Sequence, residues 1–403
     1  MDAHVNDRVL PTSVLEFFPG AANVTYLSTC TRGLLPTTAR AAIETHLDSL
    51  QAGTTDKAEV FAAVDRTRGA FGQLIHAEKE EIAFTKNVSE GLNIIAASLD
   101  WKPGDNVVVC LSMEHPNNVY PWLNLRERYG VEVRKVPDRD GHIDAEAIMA
   151  LADAKTRLVT IPTVSFSPGF RTDVAAIGKF CRERGIFLLA DGVQSVGILD
   201  LDVHAAGIDA LAVSTQKGLC GLYGMGFLFC RREWAERIRP VYLARFGVDV
   251  GSPDAHEAAL GAEDYKLMPA AGRFDLGNYN FPAAVAAEQS LRILNDVGTP
   301  AIEAHVTALA GRLIDGLLGL GLPVAGGAPG RHTGSIVSIG DMNPDQHSGT
   351  NDARMNALSE KLTGEKVIHS IRRGMIRLAL HLYNSEADVD HVIDVARKFT
   401  AGK

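Results

Sequence analysis

Ile186-Phe187-Leu188-Leu189-Ala190 runs into Asp191-Gly192-Val193-Gln194, and Ala210-Leu211-Ala212-Val213 runs into Ser214-Thr215-Gln216-Lys217-Gly218. Each is a short apolar run that switches abruptly to polar residues and glycine. A strand that is apolar at every position is buried on both faces, the condition of a parallel sheet covered by helices. Similar runs, Asn106–Leu111, Val131–Val136, Leu158–Val164 and Gly226–Cys230, alternate between about residues 80 and 235 with helical stretches such as Val174–Glu183. That alternation predicts an α/β unit with a largely parallel sheet.

Ligands of open α/β sheets bind beyond the carboxyl ends of the strands. Asp191 and Lys217 stand at two such ends, 26 positions apart, and Lys217 is followed by Gly218, Gly221, Gly224 and Gly226. A lysine there can form an imine with an aldehyde, and a nearby carboxylate can keep a pyridine nitrogen protonated so that the ring acts as an electron sink. Taken alone, a lysine is mostly solvated, and an aspartate before glycine as often serves a turn or a helix cap. The two together describe a pyridoxal 5′-phosphate site. Thr85-Lys86-Asn87-Val88-Ser89-Glu90-Gly91, ahead of the helical pattern Leu92–Leu99, offers backbone N–H groups and hydroxyls as a seat for phosphate.

The bulk numbers agree with a small-molecule enzyme. The chain has 403 residues, of which 46% are apolar and 22% charged, enough for one large domain with a smaller appendage. A net charge of -9 without long runs of one sign argues against a grip on nucleic acid or an anionic bilayer. No secretory signal or apolar run of bilayer length stands out. Cys30, Cys110, Cys181, Cys220 and Cys230 form no CxxC pair and read as thiols in a reducing, cytoplasmic compartment, with Cys110, Cys220 and Cys230 in buried settings. His332, His347, His369, His381 and His391 lack compact ligand spacing, so no metal site is expected. Phe246–Met268 reads as a long irregular connection leading to Arg273–Asn280; beyond Pro282 the pattern is helical to about Leu318 and then mixed. The expected division is an arm over 1–20, a large domain over 21–282, and a linking helix with a small domain over 283–403.

From Tyr26-Leu27-Ser28-Thr29 to Arg377-Leu378-Ala379-Leu380-His381-Leu382-Tyr383-Asn384, the order and spacing of these motifs resemble the class V aminotransferases of PLP fold type I, a family that also holds cysteine desulfurases and isopenicillin N epimerase-like enzymes. The resemblance implies a mostly parallel seven-stranded sheet flanked by helices, a smaller α+β C-terminal domain, and a homodimer with shared active sites. It implies that Lys217 is the Schiff-base lysine and proton shuttle, Asp191 the partner of the pyridine nitrogen and Gln194 the donor to the ring hydroxyl. His115, in Glu114-His115-Pro116-Asn117-Asn118, would stack on the pyridine. Val88, Ser89, Ser214 and Gln216 would hold the phosphate, with Asn278 reaching in from the partner subunit. The family usually has histidine before the lysine and threonine where Asn278 stands; both amides here can still donate. Phe166 departs from a position that is polar in many relatives. Arg377 would grip the substrate's α-carboxylate, a task that suits a planar guanidinium.

Val367-Ile368-His369-Ser370-Ile371-Arg372-Arg373-Gly374, the stretch before the arginine strand, has no cysteine, which disfavours a persulfide-forming desulfurase. Transamination ranks first because it needs only Lys217 as acid and base. Epimerisation or racemisation and carbon–sulfur cleavage are the alternatives, and a non-catalytic PLP-binding sensor or a sugar aminotransferase are readings from other classes. Arg32, Arg372 and Arg373 are candidates to bind a second acidic group of the substrate.

Overall fold

The computed structural model describes residues 12–251 and 265–402. The first part of the chain runs β1 (Thr25–Tyr26), α1 (Thr37–Ala52), α2 (Lys57–Leu74), β2 (Ile82–Thr85), α3 (Val88–Ser98), β3 (Asn106–Val109), α4 (Tyr120–Tyr129) and β4 (Glu132–Lys135). The ribbon β5 (Asp138–Arg139) and β6 (His142–Ile143), α5 (Ala145–Leu151), β7 (Thr156–Pro162), α6 (Val174–Arg184), β8 (Phe187–Asp191), β9 (Ala210–Ser214), β10 (Gly226–Cys230) and α7 (Arg232–Ala235) follow. After the pair β11 (Val248–Asp249) and β12 (Lys266–Leu267) come α8 (Phe281–Val297), α9 (Thr299–Gly319), β13 (Ile336–Ile339), α10 (Ala353–Gly364), β14 (Val367–Ile368), β15 (Ser370–Arg372), β16 (Met375–Ala379) and α11 (Glu386–Ala401).

The central sheet has seven strands in the order β2-β10-β9-β8-β7-β3-β4. β10 is antiparallel to both of its neighbours, and the other pairings are parallel, so six strands point one way. Alternate residues of each strand feed opposite layers: Val107, Leu189 and Ala212 pack on one side of the sheet, Val108, Leu188 and Val213 on the other, and all are fully or almost fully buried. This two-sided burial is why the strands are apolar throughout.

The expected strands are all present: β9 and β10 have the expected ends, and those of β3, β4, β7 and β8 are shifted by one to two residues. β8 begins at Phe187 and takes in Asp191, whose backbone pairs with Pro162 and Ala212, so the acid is the last residue of the strand and inherits its rigidity. β2 was not among the strands read from the sequence: four residues behind Lys79-Glu80-Glu81 are too few to show a period. The middle of the connection Phe246–Met268 lies outside the described residues, while its ends pair as β11 and β12. The helical stretch after Pro282 is two helices, broken at Gly298 with φ 85.

The C-terminal part holds an antiparallel sheet β13-β16-β15 with α9, α10 and α11 around it. The chain's opening segment is stitched into this part. β1 pairs in parallel with β14, Leu27 N–H donates to Ile368 O (2.8 Å), and Ala379 N–H donates to Leu27 O (2.8 Å). Residues 27–33 are thereby carried across to the carboxyl edge of the large sheet.

Candidate active site

Beyond β9 the chain turns at Thr215, whose hydroxyl donates to Leu222 O (2.5 Å) and Met225 O (3.1 Å). Gly33 N–H donates to Gln216 O at 2.8 Å, and a Cβ on Gly33 would stand 2.2 Å from Lys217 O. Only glycine permits that approach, and it lets the opening segment lie flat on the lysine loop. From the far side, fully buried His381 donates through Nε2 to Gly218 O (2.8 Å) and accepts from Leu382 N–H at Nδ1 (2.6 Å). Burial draws its pKa down to about 4, so at neutral pH the ring is the uncharged tautomer this pattern needs. Lys217 is thus held from both parts of the chain. Burial pulls its amine below the usual lysine range, against the opposing charge of Asp191.

Asp191 is buried and accepts from Val193 N–H (2.9 Å). Burial raises its carboxyl pKa, opposed by that hydrogen bond and by the Lys217 charge. Gln194, also buried, donates through Nε2 to Cys30 O (3.2 Å). At the start of α3, Asn87 Oδ1 accepts from Glu90 N–H (3.0 Å) and Ser214 Oγ accepts from Val88 N–H (2.7 Å), tying the helix to the end of β9. The first N–H groups of a helix have no carbonyl partners within it; with Val88 N–H given to Ser214 Oγ and Glu90 N–H to Asn87 Oδ1, the Ser89 N–H and the Ser89 and Ser214 hydroxyls are the donors left for an anion at this helix start.

His115 caps the short turn Pro116–Asn118, accepts from Asn117 N–H at 3.3 Å, and meets the Phe166 ring edge-on at 5.4 Å. Burial and then the charges of Lys217 and Arg372 bring its pKa down to about 4, leaving a neutral ring. Glu114 beside it is fully buried with neither carboxylate oxygen partnered among the described residues; burial and the Asp191 charge push its pKa well up. Arg377, on β16, is only 2% exposed. Its Nη1 donates to Phe166 O and its Nη2 to Ser370 Oγ (3.1 Å), while Nε has no partner among the described residues. No ion pair of Arg377 occurs among those residues either, and burial lowers its pKa.

These side chains converge on one cavity of about 320 Å³ at the carboxyl edge of the sheet. Lys217, Asp191, Gln194 and His115 line it, with Val88, Ser89, Ser214 and Gln216 at the helix end and Arg377 opposite. Asn278 is the one expected residue that a single chain leaves out. It is exposed, has φ 48, and lines a neighbouring cavity of about 280 Å³ that shares Gly224 with the first. Cys30, Thr31, Asn117 and Tyr223 also line the main cavity and were not read from the sequence as site residues; the available signal was the place of Cys30 just after the opening strand. Of the three further arginines, Arg372 lines the cavity. Arg373 is committed elsewhere, with Nη1 on Ser112 O and its guanidinium over Phe166 at 4.7 Å, and Arg32 lies over Tyr223 at 5.4 Å. Among the described residues no cluster of His, Cys, Asp and Glu could hold a metal ion, and no helix is long and apolar enough to cross a membrane.

Fold and cavity together define a PLP-dependent transferase of fold type I. The family model for class V aminotransferases matches residues 42–392, and the chain belongs to that family of enzymes. The uncharacterized aminotransferase YcbU of Bacillus subtilis is 30% identical over 385 residues, spanning 96% of this chain and 97% of its own. A probable cysteine desulfurase of Methanothermobacter thermautotrophicus is 38% identical over 232 residues, 57% of this chain and 55% of its own. Among solved structures, the apo cysteine desulfurase of Thermococcus onnurineus NA1 superposes with a TM-score of 0.84 at 24% identity, covering 98% of this chain and 99% of the other. The cystine C–S lyase C-DES, solved with its product cysteine persulfide, superposes at 0.80 and 23% identity, covering 94% and 99%. Pyridoxal 5′-phosphate is the cofactor of this family. The cavity suits it: a buried carboxylate without an arginine partner among the described residues, an anion seat at the start of α3, and a lysine lining the same cavity.

Proposed function

We propose that this chain is a PLP-dependent aminotransferase acting on an α-amino acid. One observation carries the reading: Lys217 and a buried Arg377, which has no acidic partner among the described residues, line a common cavity that also contains Asp191. An unpaired buried cation is costly, and a substrate carboxylate is the group that relieves it.

In this reading Lys217 holds the cofactor covalently, Asp191 keeps its pyridine nitrogen protonated, and Gln194 uses its second amide hydrogen on the ring hydroxyl. Val88, Ser89, Ser214 and Gln216 receive the phosphate, and neutral His115 lies against the ring face. Bound there, the cofactor supplies an electron sink that acidifies the substrate Cα–H. The Lys217 amine, its pKa drawn down by burial, is the group placed to take that proton and pass it on along the same face. His115, with its pKa about 4, is a poor proton donor at neutral pH, which favours one-sided proton transfer over epimerisation. Asn278 completes the phosphate site of a second copy; exposed Val241, Tyr242, Leu243 and Leu276 supply an apolar surface for such a homodimer. The cleft then lies between a large domain over 21–282 and a small one over 283–403, and five unpaired thiols suit a reducing cytoplasm.

Carbon–sulfur cleavage is a second reading, favoured by the Cys30 thiol, which lines the cavity 3.5 Å from Ser370 Oγ. Absorbance during addition of an amino-acid panel separates the two. The expected result is a visible band that bleaches with stoichiometric release of keto acid. A persistent band with sulfide and pyruvate assigns a lyase, and one with inverted substrate an epimerase. Lys217→Ala should abolish the band with the far-ultraviolet circular dichroism unchanged; a retained band would overturn the assignment of Lys217.

A further inference from the structure

We infer that the substrate carries a second anionic group, bound by Arg372, so that the amino acid taken is an acidic one with its side-chain anion two or three bonds beyond Cα. This rests on the reading that Arg377 receives the α-carboxylate.

The β15–β16 hairpin puts the two arginines together. Its two-residue turn, Arg373 and Gly374, has φ 50 and φ 80. Positive φ at both positions marks the primed turn that fits the strand twist and fixes register. In that register Arg372 faces Met375 and Ser370 faces Arg377, so Arg372 and Arg377 are diagonal neighbours on one face of the sheet. Such positions are separated by roughly 7 Å between Cβ atoms. Both guanidinium groups line the main cavity, whereas Arg373 is tied to Ser112 O and the Phe166 ring.

Charge matching points the same way. Lys217, Arg372 and Arg377 line the cavity, and the only carboxylate there among the described residues is Asp191. The phosphate end holds the neutral donors Ser89, Ser214 and Gln216 and is served without an arginine. Arg372 forms no ion pair among the described residues; its Nη1 donates to Ile371 O at 3.0 Å, its own neighbour in sequence. An α-carboxylate answers Arg377. Arg372 remains, a forked donor at the right separation for a second oxyanion.

Two measurements test this. In thermal melts of the holoenzyme, succinate and glutarate should raise the midpoint more than butyrate and valerate do, and Arg372→Met should remove the difference. In steady state, kcat/KM for aspartate, glutamate or cysteine sulfinate should exceed that for asparagine or glutamine at least tenfold, the ranking of the three separating a carboxylate from a sulfinate preference. Arg372→Met should bring the acid-to-amide ratio to about one, and Arg372→Lys, which keeps the charge without the fork, should fall between. Arg377→Gln should lower acid and amide alike. Equal melting shifts for the two ligand classes, or Arg372→Met lowering acid and amide alike, would overturn the inference. A dicarboxylate-selective shift lost in Arg372→Met, with no amino acid transaminated, would uphold the inference and overturn the aminotransferase reading instead.

Discussion

Arg377 shows how a single residue can serve binding at the expense of comfort in the free protein. Its guanidinium is buried, donates to the Phe166 carbonyl and the Ser370 hydroxyl, and has no carboxylate beside it among the described residues. Replacing it with methionine should remove the charge-assisted pair with the substrate, costing about 3 kcal/mol and so about two orders of magnitude in kcat/KM. The same change should leave the unfolding free energy from urea denaturation within about 1 kcal/mol of wild type, because relief of an unpaired buried charge offsets the two lost hydrogen bonds. A large loss of stability with little loss of activity would make Arg377 a structural residue. Arg377 was legible in the sequence through the family resemblance of the motif Arg377–Asn384. Cys30 was not, since a thiol four residues past a short strand has no local feature that separates a cavity wall from a core.

At the scale of elements, α3 against β9 is the contact that sets the anion seat. A Cβ on Gly91 would lie 2.9 Å from the Cβ of Ala212, closer than side chains pack. Gly91→Val should lift the helix, cost about 1–3 kcal/mol by overpacking, and speed loss of cofactor on dialysis because Val88 and Ser89 move with the helix. Gly69, inside α2, has no atom near its would-be Cβ. Gly69→Ala should therefore stabilise the protein by about 0.5–1 kcal/mol and leave cofactor retention alone. Chemical denaturation of the two variants beside wild type checks both statements; equal effects would mean that packing against β9 is not what makes Gly91 necessary. The helix and strand themselves were visible as apolar patterns, but their closest approach was not, because spacing in sequence says nothing about the distance between two packed surfaces.

Across the whole molecule, His381 joins the C-terminal part to the lysine loop through Gly218. Its pKa drops from 6.5 to about 4 on folding. As pH falls, the unfolded chain takes up the proton first, so stability is lost from about pH 6.5 downward and the loss is complete below about 4; this one group accounts for about 3 kcal/mol. His115, His332 and His369 shift in the same direction and steepen the fall. Urea midpoints between pH 7.5 and 4.5 should show it, and His381→Gln, which keeps a donor for Gly218 but does not titrate, should flatten part of the slope. An unchanged slope would mean that the His381 pKa does not shift on folding.

The α/β class, the strand ends that carry Asp191 and Lys217, and the helix start at Val88 and Ser89 were determined by sequence alone, because each depends on neighbours a few positions away: periodicity sets burial, and burial sets where polar residues emerge. What the tertiary structure decided is which distant segments share the cavity. Cys30 enters it because β1 pairs with β14, Arg372 because the turn at Arg373 and Gly374 sets the hairpin register, and Asn278 stays outside it within one chain. Pairing across more than 300 residues and the face a hairpin presents follow from the free energy of the whole packed chain, which no local stretch encodes.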